Sequence, residues 1–404
     1  MQRIKLDFKL TLEDILPKIR GYFPNVILDQ IAAWESSNAL ESMVIDGEKR
    51  YFNRAVENLM RIDKRCRAVK LALDGDERAD RNEFIKCDIR RLLKSRRDNT
   101  LFEEPHNFEF LFTLSLDESC NIEKGEMLRL WLPAPRVDRA TQFNVELIDS
   151  SSPCQLHLER AHASAYFEEQ YDGESLNVAV KYSFSTYAQY CKEGESNGTE
   201  NDSDTAKYLE QVAPHTLFSE NIKRVANEII GDERRPYYMG RLLFEAMRER
   251  YPWASAREYS TIENIPEYVI EHGHGDCGQI ALLFITLCRY VAIPARLVSG
   301  FMLHTGYDNL HDWCEIFIEG MGWIPVDPSF GVQKWGENDE ERYFYYGGMD
   351  GYRLVVNSDW GGEFEPKKSF IRSETVDFQR GEIESKKENI YFDRFKYRFN
   401  IKTT

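Results

Sequence analysis

Glu271-His272-Gly273-His274-Gly275-Asp276-Cys277-Gly278-Gln279 runs into Ile280 to Val291, a stretch apolar on most faces. A Gly-rich turn that opens into a buried helix is the local structure this pattern dictates. Asp276 is placed to be the N-cap and Cys277 the first helical residue. A thiol there feels the partial positive charge of the helix N-terminus, which favours thiolate and lowers a pKa of about 8.5. Cys277 is therefore a candidate nucleophile, set against the plainer reading of a small buried cysteine. Cys288 and Cys314 lie inside apolar runs and take that plainer reading.

A thiol nucleophile needs an imidazole, and the imidazole needs a group to orient it. Working outward from Cys277, His311-Asp312-Trp313-Cys314-Glu315-Ile316-Phe317-Ile318 reads as a strand, Glu319 to Gly322 as a tight turn, and Trp323 to Asp327 as the returning strand. With the hairpin centred near residue 320.5, position 311 faces roughly position 330, about three residues from Asp327. Asp327 is thereby expected to reach the His311 ring.

Four motifs follow in order: Gly275-Asp276-Cys277-Gly278; Arg289-Tyr290-Val291-Ala292-Ile293-Pro294-Ala295-Arg296-Leu297-Val298-Ser299-Gly300-Phe301; His311-Asp312-Trp313-Cys314-Glu315; and Gly322-Trp323-Ile324-Pro325-Val326-Asp327-Pro328-Ser329. Together they resemble the transglutaminase-like superfamily of papain-like cysteine enzymes, in detail over residues 240 to 330. The segment Leu130 to Arg136 is similar to the β domain that precedes this core in some bacterial multidomain members. The first hundred residues resemble nothing we can name.

The resemblance implies Cys277 as nucleophile, His311 as general acid/base and Asp327 as the residue that orients His311. It also implies an oxyanion hole made by the Cys277 backbone N–H and one further donor, for which Trp253, Gln279 and Tyr251 are candidates, Trp253 first. His272, His274 and Trp313 are candidates for lining the cleft. Arg296 is read as a salt-bridge former. Asp312, where many members carry a small or apolar residue, either sets a second carboxylate beside the imidazole or, as strand alternation favours, points to the opposite face. The spacing His272-x-His274-x-x-Cys277 invites zinc but lacks a convincing fourth ligand unless folding recruits His304, so no metal and no cofactor are expected.

The whole chain of 404 residues is expected to fold as α+β: a transglutaminase-like (papain-like) cysteine-protease core, preceded by a β-sandwich-like domain and an N-terminal helical region. Residues 1–104 read as helical and almost free of strand signals, with Ala55, Leu59, Ile62 and Cys66 spaced by threes and fours. Short alternating runs (Phe108 to Leu114, Met127 to Leu132, Phe143 to Ile148, Ala163 to Phe167, Leu176 to Phe184) mark a β-sandwich over 105–195. Cys191 to Thr205 reads as a linker or exposed loop; its sequons at Asn197 and Asn201 carry little weight. Residues 206–335 form the core, opened by helical runs at Ile222 to Ile230 and Leu242 to Met247. Residues 336–404 form a β-rich extension packing on the core, its aromatics read as packing rather than as a sugar- or peptide-stacking wall.

Fifty-two Lys+Arg against 68 Asp+Glu leave a net charge of −16, which repels phosphate backbones and argues against nucleic acid. The run Arg90, Arg91, Lys94, Arg96, Arg97 is read as a solvated helix face rather than a docking patch. Eight cysteines without CxxC pairs suit free thiols. No stretch has the roughly 20 apolar residues of a membrane span, and no apolar h-region follows Met1. The compartment stays open: secreted or periplasmic if a leader has been removed, otherwise cytoplasmic. The oligomeric state is equally open. The resemblance, rather than the composition, implies a thiol enzyme that acts on amide bonds of a protein or peptide through a thioester, with peptidase or amidase action favoured. The alternatives are a protein-glutamine transglutaminase (cross-linking or deamidation), an Asn-glycan deglycosylase sharing the triad, and a non-catalytic binding scaffold. An intact Cys277, His311, Asp327 set speaks against the scaffold.

Overall fold

The computed structural model describes residues 2–96, 101–102, 104–116, 120–199 and 204–404; Arg97 and the sequon at Asn201 lie outside them. The fold is mixed α/β, with a separate hydrophobic core for each of three parts.

The N-terminal part is mostly helical, as its periodicity requires. Ala55–Ile62 and Lys64–Asp74 are two helices rather than one, because the Asp63 carboxylate accepts the Cys66 N–H at 2.8 Å and starts the second. The expectation of no strands is corrected by a hairpin, Ser42–Ile45 with Glu48–Tyr51. Asp46 and Gly47 both take positive φ at its tip, the primed turn for which Asp-Gly is the strongest short-range signal.

Two sheets build the β-sandwich. The five expected strands are present, as His106–Leu116, Met127–Pro133, Gln142–Ser150, Ser164–Gln170 and Leu176–Thr186. The stretch 336–404, read as one extension on the core, divides instead. Arg353–Ser358 pairs with Ala295–Met302, Glu382–Ser385 with Met127–Pro133, and Lys396–Thr403 with His106–Leu116. The alternation Tyr397, Phe399, Ile401 turns one face inward, and Phe399 packs on Phe110 and Phe301. Within this stretch Phe344, Tyr345 and Tyr346 lie in a turn and are fully buried. The described part of the expected linker is likewise packed: Cys191 N–H donates to Gly347 O, and Thr199 Oγ accepts the Trp323 N–H at 2.8 Å.

The third part holds the helix Cys277–Tyr290, whose residues from Gly278 to Arg289 are all buried. Each fully buried Leu or Ile there stabilises by about 1.5–3 kcal/mol. The helix packs on a four-stranded antiparallel sheet in the order Gly322–Val326, Asn309–Ile318, Ala295–Met302, Arg353–Ser358. Gly322–Val326 is an edge strand, which is where Pro325 costs no ladder hydrogen bond. No helix among the described residues is long and apolar enough to cross a membrane.

Candidate active site

Cys277 is the first residue of its helix, and the Asp276 carboxylate accepts the Gln279 N–H at 3.0 Å as N-cap. The next strand pair supplies the imidazole. Cys314 stands opposite Val326, one residue away from the register expected of a hairpin centred at 320.5. Asp327 follows directly on that edge strand, and its Oδ2 lies 2.7 Å from His311 Nε2.

Asp327 is buried, and its oxygens are filled. Oδ1 accepts from Ser329 Oγ at 2.9 Å and Phe330 N at 3.0 Å; Oδ2 also accepts from Arg353 Nη1 at 3.0 Å. Burial alone would raise its pKa, but His311, Arg353 and the Phe330 N–H outweigh burial and hold it at about 2. Arg353 continues to Asp350 at 3.0 Å, which accepts the Tyr345 hydroxyl at 2.8 Å and lies 3.5 Å from His304. Burial lowers the pKa of His311, and the charges of Arg353 and His304 add to that against the pull of Asp327. The resting imidazole is neutral.

Cys277 Sγ sits 3.3 Å from Asp312 Oδ2, to which the thiol donates. Burial first, then the carboxylates of Asp312 and Asp276, push the thiol well above its ordinary pKa. This corrects the expectation of a resting thiolate: desolvation and two nearby acids outweigh the helix N-terminus. Asp312 does not bond the imidazole. Its Oδ1 takes the Gln379 amide at 3.0 Å, and its own pKa is driven up by burial and by Asp377 and Asp276.

Cys277 and His311 open into one cleft of about 590 Å³, with Tyr251, Trp253, Ser329 and Phe330 on the core side. Its far wall is the N-terminal part, from Met60 to Ile85.

Residues 223–328 match the family model of the Transglutaminase-like superfamily. They are a transglutaminase-like core. No curated protein matches the chain. Among solved structures, the "Putative Cysteine Protease from Cytophaga hutchinsonii" is 13% identical, with a TM-score of 0.49, covering 75% of this chain and 92% of that one. The periplasmic domain of TgpA from Pseudomonas aeruginosa is 16% identical, with a TM-score of 0.33, covering 60% and 91%. Likeness at this level says nothing about substrate or reaction.

Several candidates stand away from the cleft of the transglutaminase-like core. Gln279 is fully buried beneath Gly275, with neither amide atom hydrogen-bonded, and its side chain does not reach the cleft wall. His272 stacks on Tyr268 at 3.8 Å and bonds its carbonyl, while His274 is buried against the His272 carbonyl and brought by burial to about 4. Both imidazoles are spent closing the helix before the Gly-rich turn. Trp313 is buried under Arg353, beside a small separate cavity, and His304 is committed to Asp350 rather than to the Gly-rich turn. Among the described residues no group of three or more His, Cys, Asp or Glu could hold a metal. Trp253 and Tyr251 do line the cleft, and Arg296 pairs with Glu315 at 2.8 Å. Arg90, Arg91 and Arg96 pair with carboxylates of this chain.

Sequence reasoning missed three supporting residues of the transglutaminase-like core. Arg353 is a lone charge in the apolar run Leu354-Val355-Val356, a signal that could have found it. Gln379, which also holds the His311 carbonyl at 3.0 Å, lies in an irregular segment, and Tyr259, which donates to the N-cap Asp276, starts a single 3₁₀ turn too short to show a period.

Proposed function

We infer that the chain is a thiol enzyme that cleaves amide bonds of peptide or protein substrates, with Cys277 as nucleophile, His311 as acid/base and Asp327 as its orienting partner. The observation that carries this reading is the 2.7 Å His311–Asp327 bond on the wall of the cleft into which Cys277 opens. Because Nε2 is held by Asp327, the proton moves through Nδ1. The resting pair is thiol and neutral imidazole. When an amide carbonyl enters, His311 takes the Cys277 proton as Sγ bonds to the carbonyl carbon. The Cys277 backbone N–H and Trp253 Nε1 are the assigned donors to the oxyanion. The C–N bond then breaks, the amine leaving with the proton from His311, and water opens the thioester to release acid and thiol. His311 stays mostly unprotonated at neutral pH, as a general base requires.

The test is digestion of a diverse peptide mixture, read by mass spectrometry of new termini, with a labelled primary amine included. Products made by the wild type and lost in both Cys277→Ala and His311→Ala support the reading. Amine incorporation without new termini would replace it with transamidation, and no Cys277-dependent product of either kind would leave a scaffold.

A further inference from the structure

In a chain of net charge −16, the cleft that holds Cys277 is basic. Arg61, Arg67, Lys70, Arg78, Arg81 and Arg248 line it against Asp76 and Glu77. Two acids against six bases leave this wall positive, and Glu77 spends its nearest ion pair on Lys70 at 2.5 Å. Among the described residues, none of Arg61, Arg78, Arg81 and Arg248 has an ion-pair partner.

Their packing keeps these guanidiniums in place without satisfying them. Arg61 and Arg78 lie over the Trp253 ring at 4.8 and 5.8 Å, and Arg81 over Phe330 at 5.5 Å. Arg248 donates to Phe330 O at 2.6 Å, while Arg81 Nε is shut from solvent with no hydrogen-bond partner. Burial lowers the pKa of Arg81, and repulsion from Arg78 and Arg248 lowers it further. Four like charges gathered on the cleft that Cys277 lines, three of them stacked on Trp253 and Phe330, repel one another unless an anion sits among them.

We propose that Arg61, Arg78, Arg81 and Arg248 form an anion-binding subsite that selects peptide substrates carrying Asp or Glu side chains next to the cleaved amide. This deepens the amidase reading and rests on it. The guanidinium fork matches a carboxylate bidentately, and a cleft with low-dielectric walls focuses the field on an incoming acidic peptide. Three of the four arginines come from the N-terminal part, which lies outside the matched residues 223–328, so that part acts as a specificity wall for the transglutaminase-like core.

The test uses full-length protein and fluorescein-labelled octapeptides that differ only in two Glu, two Gln or two phosphoserine residues, followed by anisotropy. The Glu peptide should bind at least tenfold tighter than the Gln peptide, with that advantage shrinking as salt rises and lost in the Arg78→Gln/Arg81→Gln double variant at unchanged circular dichroism. Cys277→Ala should keep the binding and lose cleavage, so failure of the chemistry and failure of the subsite read out separately. Equal affinity for Glu and Gln peptides, or a Glu preference that survives the double variant, overturns the proposal. Phosphoserine binding more than tenfold tighter than Glu would move the site to phosphate and overturn it too. If the double variant unfolds, Arg248→Gln alone, which should reduce the Glu preference about threefold or more, decides the matter.

Discussion

The proton of the Cys277 thiol is directed at Asp312 Oδ2, 3.3 Å away. A carboxylate in that place disfavours the thiolate, and Asp312→Asn removes the charge while keeping the shape. Alkylation of Cys277 by limiting iodoacetamide at pH 7, read by mass spectrometry, is expected to speed up about tenfold, the equivalent of one pKa unit. An unchanged rate in a folded variant would show that burial alone holds the thiol.

Arg353 shares Asp327 Oδ2 with His311 and lowers the basicity of the ring. In Arg353→Gln the His311 pKa should rise, moving the acid limb of the pH–rate profile to higher pH. Titration of His311 by NMR checks the shift, which a purely structural role would not produce. The same change leaves Asp350 without its cation and should cost about 3–5 kcal/mol of stability.

Asp327→Asn keeps the size of the side chain but favours the wrong imidazole tautomer. Turnover is expected to fall about 10³- to 10⁴-fold, as such a change does in a serine-enzyme triad. Thermal unfolding should show a loss of stability as well, because Arg353 then faces a neutral amide. A fall in turnover below tenfold would exclude Asp327 as the orienting group.

Glu374 lies buried beside Asp377, and burial followed by that neighbour raises it from 4.5 to about 8 against the pull of Arg380. Its folded pKa exceeds its unfolded value, so its contribution to stability is fully present below about 4.5 and is lost as pH rises through 8. Asp276, raised to about 6, acts in the same sense at lower pH. Above about pH 7, where buried histidines with lowered pKa such as His274 and His311 are already neutral in both states, melting temperature should therefore fall towards pH 8.5, and Glu374→Gln should flatten that slope. A wild-type curve still rising over this range would contradict the assignment.

At Gly278 an added Cβ would stand 2.5 Å from Tyr259 Oη and 2.9 Å from Asp312 Oδ2. Helix propensity favours alanine over glycine by about 1 kcal/mol. The clash should override that gain, so Gly278→Ala is expected to melt earlier than the wild type and to lose activity through displacement of Asp312.

The parts of the site that were legible in the sequence are those with short-range signals. Asp276-Cys277 announces itself as a helix start, and the glycines at 320 and 322 fix a hairpin that brings His311 to Asp327. Strand alternation likewise marked Phe108 to Leu114 and its neighbours. What escaped depended on contacts distant in the chain. Nothing near Cys277 says that Asp312 will face the thiol rather than solvent, since a helix start and a strand meet only through tertiary packing. Nor could local pattern show that Tyr397, Phe399 and Ile401 belong to the sheet of Phe110. The Asp46-Gly47 turn was readable and was outweighed by the helical periodicity around it.

The pairing of Lys396–Thr403 with His106–Leu116 sets an order of events during synthesis. The inner strand leaves the ribosome about 280 residues before its partner exists, a wait of roughly 15 to 55 seconds at usual elongation rates. Until then Phe110 and Phe112 stand on an open sheet edge, a hazard for sticking to other chains. Cys277, His311 and Asp327, the residues proposed to carry the chemistry, are made in between, so a nascent chain holds them ahead of its finished scaffold. Chaperone demand should thus peak late, and a polypeptide stalled short of residue 396 should be an aggregation-prone species rather than a smaller working enzyme.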